Sequence, residues 1–535
     1  MIPLEWMPPL MFGGLVILML IGYPVAFTLA ALGFSFGAIA IHEGFFEFSF
    51  LQAIPGRIFG NVLSNELLLA IPFFTFMGAI LERCGLAEDM LDSMGQLFGP
   101  IRGGLGYSVI LVGFILGAIT GTVAAQVIAM ALISMPVMMR YGYNMRYTTG
   151  VLAASGTITQ LVPPSLVLIV LADQLGKSVG DMYLGAWGPS IFQIFLFVAY
   201  TFVLGIFRPN DVPPVPKEAR TLTGWALWRK CLLGIIPSAV LIFVVLGTMM
   251  LGLATPTEAG AMGAVGAIVL ATMHDPKFSR TGHKVLIVGM IACGIGTMVG
   301  IFFSENLVFK IAFAITYIAV VWICVEAFRI RSLFDLIKQG YETTMRITTM
   351  VVFILIGSTC FSVVFMGCSG GVWLEHMLTS LPGGPWGFLV FINLFIFFLA
   401  FFLDFFEIAF IILPMIAPAA QKLLTPIVGA DNALIWFGVM LCVNMQTSFM
   451  HPPFGFALFY LRGVAPKEVK SSDIYWGALP WVGLQLIMVA LVIAFPITVT
   501  GLLDKPNNVD LNKINIQIEM PADLPPPTFN IPSGK

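Results

Sequence analysis

The sequence is poor in charge, and its cysteines and histidines form no recognisable catalytic or metal-binding motif. Only 10% of its 535 residues are charged, against about a quarter in an ordinary soluble protein. So few charges could not cover the surface of a soluble protein of this length, which excludes a soluble fold. The seven cysteines are an odd number without any CxxC pair, so neither disulfides nor a zinc site is predicted.

Positive charge is not in excess either. The 26 Lys and Arg residues and the 28 Asp and Glu residues leave a formal net charge of −2. Proteins that bind nucleic acids need surplus positive charge to neutralise phosphates, so we expect no nucleic-acid partner. The five histidines form no HExxH zinc motif, and no glycine-rich lysine loop for ATP is present. We therefore expect no cofactor.

Hydrophobic residues make up 59% of the chain. Runs of about 20 apolar residues, the length that crosses the bilayer core as a helix, recur along it. Strand-like alternation is absent, and helices satisfy their own backbone in lipid, so the predicted class is an all-α polytopic membrane protein surrounded by membrane lipid. The runs lie near residues 9–40, 105–138, 186–207, 232–253, 256–273, 285–304, 309–328, 347–366, 386–414, 433–445 and 475–501.

Lys and Arg gather in three short segments, residues 208–230, 277–284 and 329–346. Because two apolar runs separate each segment from the next, all three should lie on one side of the membrane. The positive-inside rule makes that side cytoplasmic.

Two proline pairs interrupt apolar segments, Pro163–Pro164 and Pro452–Pro453. Such a pair stops a helix and frees backbone carbonyls, which in lipid need protein, trapped water or a cation as partners. The half-helix that follows directs its positive N-terminus toward the same place, which favours an anion. One break could be a mere kink. Two matching breaks are typical of the midplane site of a secondary transporter.

Small polar residues near both pairs could supply neutral oxygen ligands for Na⁺. They are Ser155 and Thr157 before the first pair, and Asn444, Gln446, Thr447 and Ser448 before the second. Gly156 and Ser165 belong to the same candidate binding site. A further run of small residues, 117–125, contains Thr120, Gly121 and Thr122. It fits either a close helix crossing or another break that lines the same cavity.

Asp404 and Glu407 are three residues apart in an apolar segment, so they share one helical face. A charged carboxylate at the middle of the bilayer costs about 2.5–3.5 kcal/mol, which makes the pair a candidate ion or proton site. Three other interpretations remain open: the pair lies near an aqueous end, one acid is protonated, or Asp404 caps a half-helix.

Two further segments contain polar residues at unusual places. Residues 57–100 predict either two half-length helices that turn back inside the membrane or one span followed by a surface helix. In the first case Glu66, beside Ser64 and Asn65, would form the polar tip of the hairpin. His451 directly precedes Pro452, and we expect it to be a packed or water-facing imidazole.

These motifs resemble the large membrane (M) subunit of tripartite ATP-independent periplasmic (TRAP) transporters. The similar stretches lie in both halves of the chain: residues 65–74, 117–125, 153–165, 255–259, 403–414 and 444–466. The last stretch is similar to the longer branch of M subunits that is associated with 2-oxoacids, mannitol and other organic acids.

The resemblance implies an elevator-type secondary transporter of the bacterial inner membrane, with two inverted repeats that each contain a re-entrant hairpin and a broken helix. It also implies Na⁺ as coupling ion, a periplasmic binding protein (P) that delivers an organic acid, and a small four-helix (Q) subunit, which we expect as a separate chain. The implied division is N-terminal scaffold helices 1–56, first transport repeat 57–207, scaffold helices 208–346 with two extra spans near 275–328, second transport repeat 347–501 and solvated tail 502–535.

By motif position, the resemblance also implies where ligands bind. The first-repeat site would use Ser64, Asn65, Glu66 and Thr120–Thr122 or Ser155–Thr157, and the second would use Gly357, Ser358, Thr359 and residues 444–448. The Na⁺ candidates are Thr120, Thr157, Gln446, Thr447 and Ser448. His451 departs from the family, which usually has Thr there. An intramembrane enzyme using Asp404 and Glu407, or a channel, are the alternative functions.

Overall fold

The structure is a computed structural model that describes residues 3–220, 224–275, 277, 329–401, 403–452 and 455–503, with single positions between 311 and 325. All regular structure in these ranges is helical, as predicted for an all-α membrane protein. The extra apolar runs predicted near 275–328 and the predicted tail beyond residue 503 lie largely outside the described residues.

Nine helices of the described ranges are long and apolar enough to cross a membrane. The α-helices are α1 Met7–Ile21, α2 Val25–His42, α3 Phe48–Leu51, α4 Ala53–Ile58, α5 Ala70–Arg83, α6 Leu86–Phe98, α7 Gly104–Thr120, α8 Val123–Arg140, α9 Met145–Thr157, α10 Leu166–Leu175, α11 Val179–Phe207, α12 Gly224–Met250, α13 Pro256–His274, α14 Arg331–Gly367, α15 Gly370–Thr379, α16 Gly384–Leu399, α17 Phe405–Glu407, α18 Leu413–Val428, α19 Ala430–Met445, α20 Phe456–Val464, α21 Ser471–Ala494 and α22 Ile497–Thr500. Short 3₁₀ or π segments are Leu4–Trp6, Phe59–Leu63, Leu67–Leu69, Ile158–Gln160, Lys217–Ala219, Ile408–Ile412 and Gln446–Met450.

The longest described helix, α14, has 37 residues. At 1.5 Å per residue it is about 55 Å long, well beyond the ~30 Å hydrocarbon core. It packs against α2 and α5, and α5 packs in turn against α13. These four helices form one packed group whose members come from distant parts of the chain.

Residues 48–83 form a single bent span rather than a hairpin. The helical segments on either side of residues 64–66 differ in direction by 52°, so the chain continues across the membrane. The Asn65 side-chain oxygen accepts a hydrogen bond from the Leu67 amide at 2.9 Å, which restarts the helix after the break. The prediction that Glu66 forms the tip of a hairpin is therefore wrong. The helix that follows, α6, agrees with the alternative of one span plus a surface helix, whose surface position stays a prediction.

The helix that follows this span, α6, lies on the side of the membrane that carries the basic segments. Asp92 pairs with Lys230, and the Asp89 carboxylate lies 3.5 Å from the His274 ring nitrogen. The Ser332 hydroxyl donates to the Asp275 carboxylate at 2.7 Å, which joins the end of α13 to the start of α14. The parts of the three basic segments that the structure describes therefore lie on one side, as predicted.

The chain does turn back at the small-residue run 117–125. The Gln126 side-chain amide donates to the Gly113 carbonyl at 2.6 Å, although the residues are 13 apart. Along a continuous helix that separation would be about 20 Å, so α7 and α8 must be antiparallel. Gly121, with φ of +62°, makes the turn in a conformation that favours glycine. The helix breaks at this run, and its glycines also approach interrupted helix 1 closely, so features of both interpretations are present. That the break lines the site stays a prediction, and residues 104–140 are named hairpin 1.

A second reversal joins α16 to α17 and α18. The Lys422 ammonium lies 2.7 Å from the Glu375 carboxylate. Glu375 precedes α16 and Lys422 lies in the second half of α18, so the chain must return along its own path. Residues 384–428 are named hairpin 2, and Ala400, Phe401, Leu403 and Asp404 are named its tip.

Each hairpin is followed by a helix that breaks at a predicted proline pair. Interrupted helix 1 (145–175) consists of α9, a 3₁₀ turn, the break at 161–165 and α10. Interrupted helix 2 (430–464) consists of α19, a 3₁₀ turn, a break that begins at His451, and α20. Both predicted breaks are confirmed, and interrupted helix 2 is buried almost throughout from Ile435 to Met450.

Candidate functional site

The two interrupted helices meet at their breaks in the interior of the protein. The Cys442 thiol donates to the Gln160 carbonyl at 3.2 Å, and the Thr157 hydroxyl lies 3.7 Å from the Met450 sulfur. Gln485 of α21 joins them, because its side-chain amide donates to the Thr157 hydroxyl at 3.0 Å. Residues nearly 300 positions apart therefore line one central region.

Hairpin 1 packs closely on the first break. A Cβ atom at Gly117 would lie 3.2 Å from the Thr159 Cα, so glycine favours this close approach. The Gln126 amide donates to the Ser155 carbonyl at 2.9 Å as well as to Gly113. Gln126 is a functional candidate that the sequence reasoning did not single out. Its signal was a lone amide directly after the small-residue run.

The N-terminus of α10 is capped by the side chain of Ser165. Ser165 accepts a hydrogen bond from the Val167 amide at 3.2 Å and donates to the Gln160 carbonyl. The hydroxyl of Ser165 thus caps the half-helix that follows Pro163 and Pro164. Ala118 of hairpin 1 and Pro164 line the same small apolar cavity, so the hairpin tip region lies near the proline pair.

The second break is rich in oxygen atoms with free lone pairs. The Thr447 hydroxyl donates to the Asn444 carbonyl at 2.7 Å, and the Ser448 hydroxyl donates to the Met445 carbonyl at 2.6 Å. A hydroxyl that has given its proton to a helix carbonyl can still accept or bind a cation. The Asn444 amide donates to the Asn393 carbonyl of hairpin 2 at 2.8 Å.

Buried polar groups without partners collect at the same place. Among the described residues, neither the oxygen nor the nitrogen of the Gln160 and Gln446 side chains has a hydrogen-bond partner. The same holds for the side-chain oxygens of Asn444 and Gln485. Each such group costs about 1–3 kcal/mol when buried and unpaired. A cluster of them at two helix breaks indicates a place that water or a ligand occupies.

Asp404 and Glu407 bind each other's backbone at the start of the second helix of hairpin 2. The Glu407 amide donates to the Asp404 carboxylate at 2.9 Å, and the Asp404 amide donates to the Glu407 carboxylate at 3.0 Å. This reciprocal pair is a capping box. The capping interpretation of Asp404 is therefore confirmed, while an ion-binding role for the pair stays a prediction.

Some predicted residues lie away from the breaks. The Asn65 amide donates to the Asp173 carboxylate at 2.7 Å, near the far end of α10 and about 12 Å along that helix from Ser165. The Glu66 carbonyl accepts from the Thr257 hydroxyl at 2.7 Å. Ser64 belongs to the same bend. The structure thus separates residues 64–66 from the other first-repeat candidates.

The remaining candidates border hairpin 2. The Ser358 hydroxyl donates to the Phe410 carbonyl at 2.7 Å, Thr359 donates to its own helix, and Gly357 packs on Ala26 of α2. Pro453 lies outside the described residues. In the part of the chain that the structure describes, no group of three or more His, Cys, Asp or Glu could hold a metal. The oxygens described at the second break are those of neutral amide and hydroxyl groups.

Two hairpins beside two interrupted helices, with unpaired polar groups at the breaks, are the architecture of a secondary transporter that crosses the membrane many times. Its family is defined by sequence: the chain belongs to the family described as tripartite ATP-independent periplasmic transporter, DctM component, which matches residues 12–498. The resemblance stated from the motifs is confirmed.

Several similar proteins carry names of TRAP permeases. The C4-dicarboxylate TRAP transporter large permease protein DctM of Vibrio cholerae is 25% identical over 483 residues, which are 90% of this chain and 93% of that protein. The 2,3-diketo-L-gulonate TRAP transporter large permease protein YiaN of Escherichia coli is 23% identical, over 89% and 93% of the two chains. The sialic acid TRAP transporter large permease protein SiaM of Vibrio cholerae is 22% identical, over 90% and 94%.

These relatives are named as transporter permeases and not as enzymes. The alternative of an intramembrane enzyme that uses Asp404 and Glu407 is therefore not supported. The channel alternative likewise gives way to a transporter.

Proposed function

We propose that this chain is the large permease subunit that carries an organic acid across the bacterial inner membrane by Na⁺ symport. A periplasmic binding protein would deliver the acid, and a small four-helix permease subunit would complete the membrane complex. The observation that carries the proposal is the cluster of unpaired oxygens at two helix breaks in a chain of this family.

The names of the relatives support a carboxylate as cargo. The three relatives are named for C4-dicarboxylates, 2,3-diketo-L-gulonate and sialic acid. All three substrate classes are acids that carry a carboxylate at neutral pH. An organic acid is accordingly the substrate class that we propose for this chain.

Neutral oxygens at the breaks fit Na⁺. At the second break, Gln446, Thr447 and Ser448 offer an amide oxygen without a partner in the described ranges and two hydroxyls that donate to helix carbonyls. At the first break, Thr157 offers a hydroxyl. The side chain of the predicted candidate Thr120 lies outside the part that the structure describes. Na⁺ would bind to the lone pairs of these oxygens. Its movement with the acid would couple transport to the Na⁺ gradient.

Such coupling is energetically sufficient. A tenfold Na⁺ gradient provides about 1.4 kcal/mol per ion, and one net charge crossing about 100 mV provides about 2.3 kcal/mol. Two Na⁺ carried with a monoanion would provide about 5 kcal/mol, enough for roughly several-thousandfold accumulation. Transport of this kind needs no ATP.

Movement of the two hairpins and interrupted helices against the long helices would give an elevator mechanism. Helices α2 and α13, which lie in the segments 1–56 and 208–346, would belong to the stationary part together with the first half of α14. The division into scaffold segments 1–56 and 208–346 and transport repeats 57–207 and 347–501 is proposed on the same basis.

Uptake into proteoliposomes tests the function. The vesicles contain this chain with its small subunit, and the labelled acids succinate, N-acetylneuraminate and 2,3-diketo-L-gulonate are each supplied on the cognate binding protein. We expect accumulation of at least one acid under an inward Na⁺ gradient and none when choline replaces Na⁺. Omission of the binding protein is the control for delivery. Equal uptake in choline without a proton gradient would overturn Na⁺ coupling.

A further inference from the structure

His451 is held between two aromatic rings of hairpin 2. Its ring stacks on Phe401 of the tip, with centroids 4.1 Å apart and planes at 16°, and meets Phe397 of α16 edge-on at 4.4 Å. The residue is 1% exposed. Both rings belong to the hairpin, whereas His451 begins the break of interrupted helix 2. Hairpin 2 therefore covers the imidazole of His451 with two aromatic rings.

Both nitrogens of this ring are without a hydrogen-bond partner among the described residues. The Ala400 backbone of the same tip is a polar group that lies near the ring. Burying an imidazole in this way is costly, because its donor and acceptor both lose water. A side chain that served packing alone would be better as an apolar residue, so the nitrogens indicate a place that water or a ligand occupies.

The two breaks differ at this position. In interrupted helix 1 the residue before the proline pair is Val162, and Ser165 caps the following half-helix. In interrupted helix 2 the residue before the pair is His451, and no side chain in the described ranges caps the start of α20 at Gly455. At the first break, the helix end is thus capped by a residue of the break itself, Ser165. The second presents an imidazole and an uncapped positive helix end, and both favour an anion.

We infer that His451 is a specificity-determining residue, whose ring nitrogen donates a hydrogen bond to a carboxylate of the transported acid when the tip of hairpin 2 moves away. The inference rests on the proposed transport of an organic acid, and it assigns the carboxylate to the second break. Phe397 and Phe401 act as the cover: they occupy the ring faces while the site is closed and leave them when it opens. The carboxylate then supplies the partner that the closed protein lacks.

Chemical modification of histidine tests this contact directly. The full chain, purified with its small subunit, is treated with diethylpyrocarbonate, and each modified histidine is quantified by peptide mass spectrometry. The probes are succinate, N-acetylneuraminate and 2,3-diketo-L-gulonate at saturating concentration, with equimolar sorbitol as the neutral control. His42, whose side chain is 87% exposed, is the internal reference. We expect at least one acid to slow modification of His451 by about threefold or more and to leave His42 unchanged.

If none of the three acids changes the modification of His451 relative to His42, the inference is overturned. Phe401→Leu keeps an apolar cover but removes the stacked ring, and we expect faster modification of His451 in this variant. An unchanged rate would show that the tip is not its cover and would equally overturn the inference.

Transport kinetics separate recognition from packing. We expect His451→Gln to raise the KM for the acid about tenfold or more with a maximal rate within twofold, because a hydrogen bond to a charged group is lost. The matched control is His376→Gln at an exposed position of α15, which should change neither. A lowered melting temperature with unchanged KM would assign His451 to packing and overturn the inference. Absence of Na⁺-driven uptake in the wild type would instead contradict the proposed function, whatever the result of histidine modification.

Discussion

Replacing Gln446 by Leu should separate fold stability from ion binding. Gln446 is fully buried at the second break, and within the described part of the chain its side chain has no hydrogen-bond partner. Leu has a similar volume and removes the amide. Because no bond is lost and an unpaired polar group is removed, we expect Gln446→Leu to stabilise the Na⁺-free protein by about 1–3 kcal/mol.

Gln126→Leu is the matched control, because it makes the same chemical change at a buried amide that has partners. The Gln126 amide donates to the Gly113 and Ser155 carbonyls at 2.6 and 2.9 Å. Two hydrogen bonds at about 0.5–1.5 kcal/mol each predict a destabilisation of about 1–3 kcal/mol. The two Gln→Leu changes should therefore shift stability in opposite directions.

The measurement is thermal unfolding of the purified complex in choline and in Na⁺ buffer. Na⁺ at one hundred times its dissociation constant would stabilise the wild type by about 2.7 kcal/mol. We expect Gln446→Leu to unfold at a higher temperature than wild type in choline and to lose most of the response to Na⁺. Gln126→Leu should unfold at a lower temperature and keep that response. If Gln446→Leu were destabilised in choline as much as Gln126→Leu, the amide of Gln446 would have a partner and the reasoning would fail.

Two further changes test the packing of α9 and the cap of hairpin 2. A Cβ atom at Gly477 of α21 would meet the Arg146 carbonyl of α9, so Gly477→Ala should lower the unfolding temperature by the equivalent of about 1–3 kcal/mol. Gly483→Ala, which meets nothing within 4 Å, should not lower it. Asp404→Ala should cost about 1 kcal/mol through loss of the cap, whereas Asp404→Asn keeps a good cap. We expect Na⁺-dependent uptake to be unchanged in Asp404→Asn, and loss of that dependence would make Asp404 an ion ligand.

Much of the architecture was predictable because proline acts locally. Pro163–Pro164 and Pro452 lack amide donors, so the helix must stop there whatever packs around it. The spacing of Asp404 and Glu407 likewise allowed a cap, since the bonds of a capping box join residues three apart. That the basic segments lie on one side of the membrane followed from the number of apolar runs between them.

The hairpins were harder to predict because a turn between two apolar helices leaves little trace in composition. Residues 105–138 form one continuous apolar run in the sequence, yet the chain reverses at Gly121. Asn65 and its neighbours looked like a hairpin tip, but the Asn65 side chain restarts the helix and the span continues. In both cases a few local hydrogen bonds decide the direction of the chain.

Partners distant in sequence were also beyond prediction. Asn393 is a functional neighbour only because its carbonyl accepts a hydrogen bond from Asn444. Asp173 likewise matters because its carboxylate accepts a hydrogen bond from Asn65. Nothing at either position in the sequence distinguishes these residues from a polar side chain that packs alone. His451 could be identified as unusual before Pro452, but its cover of two aromatic rings could not.

Composition and local chemistry alone determined that this protein is helical, lies in lipid and has two broken helices, because hydrophobicity and the missing amides of proline act on each segment by itself. Tertiary structure decided where the chain turns back, that the two breaks adjoin, and which buried oxygens and nitrogens are left unpaired. Those features depend on contacts between segments hundreds of residues apart. The free energy of each such contact exists only once the helices have packed.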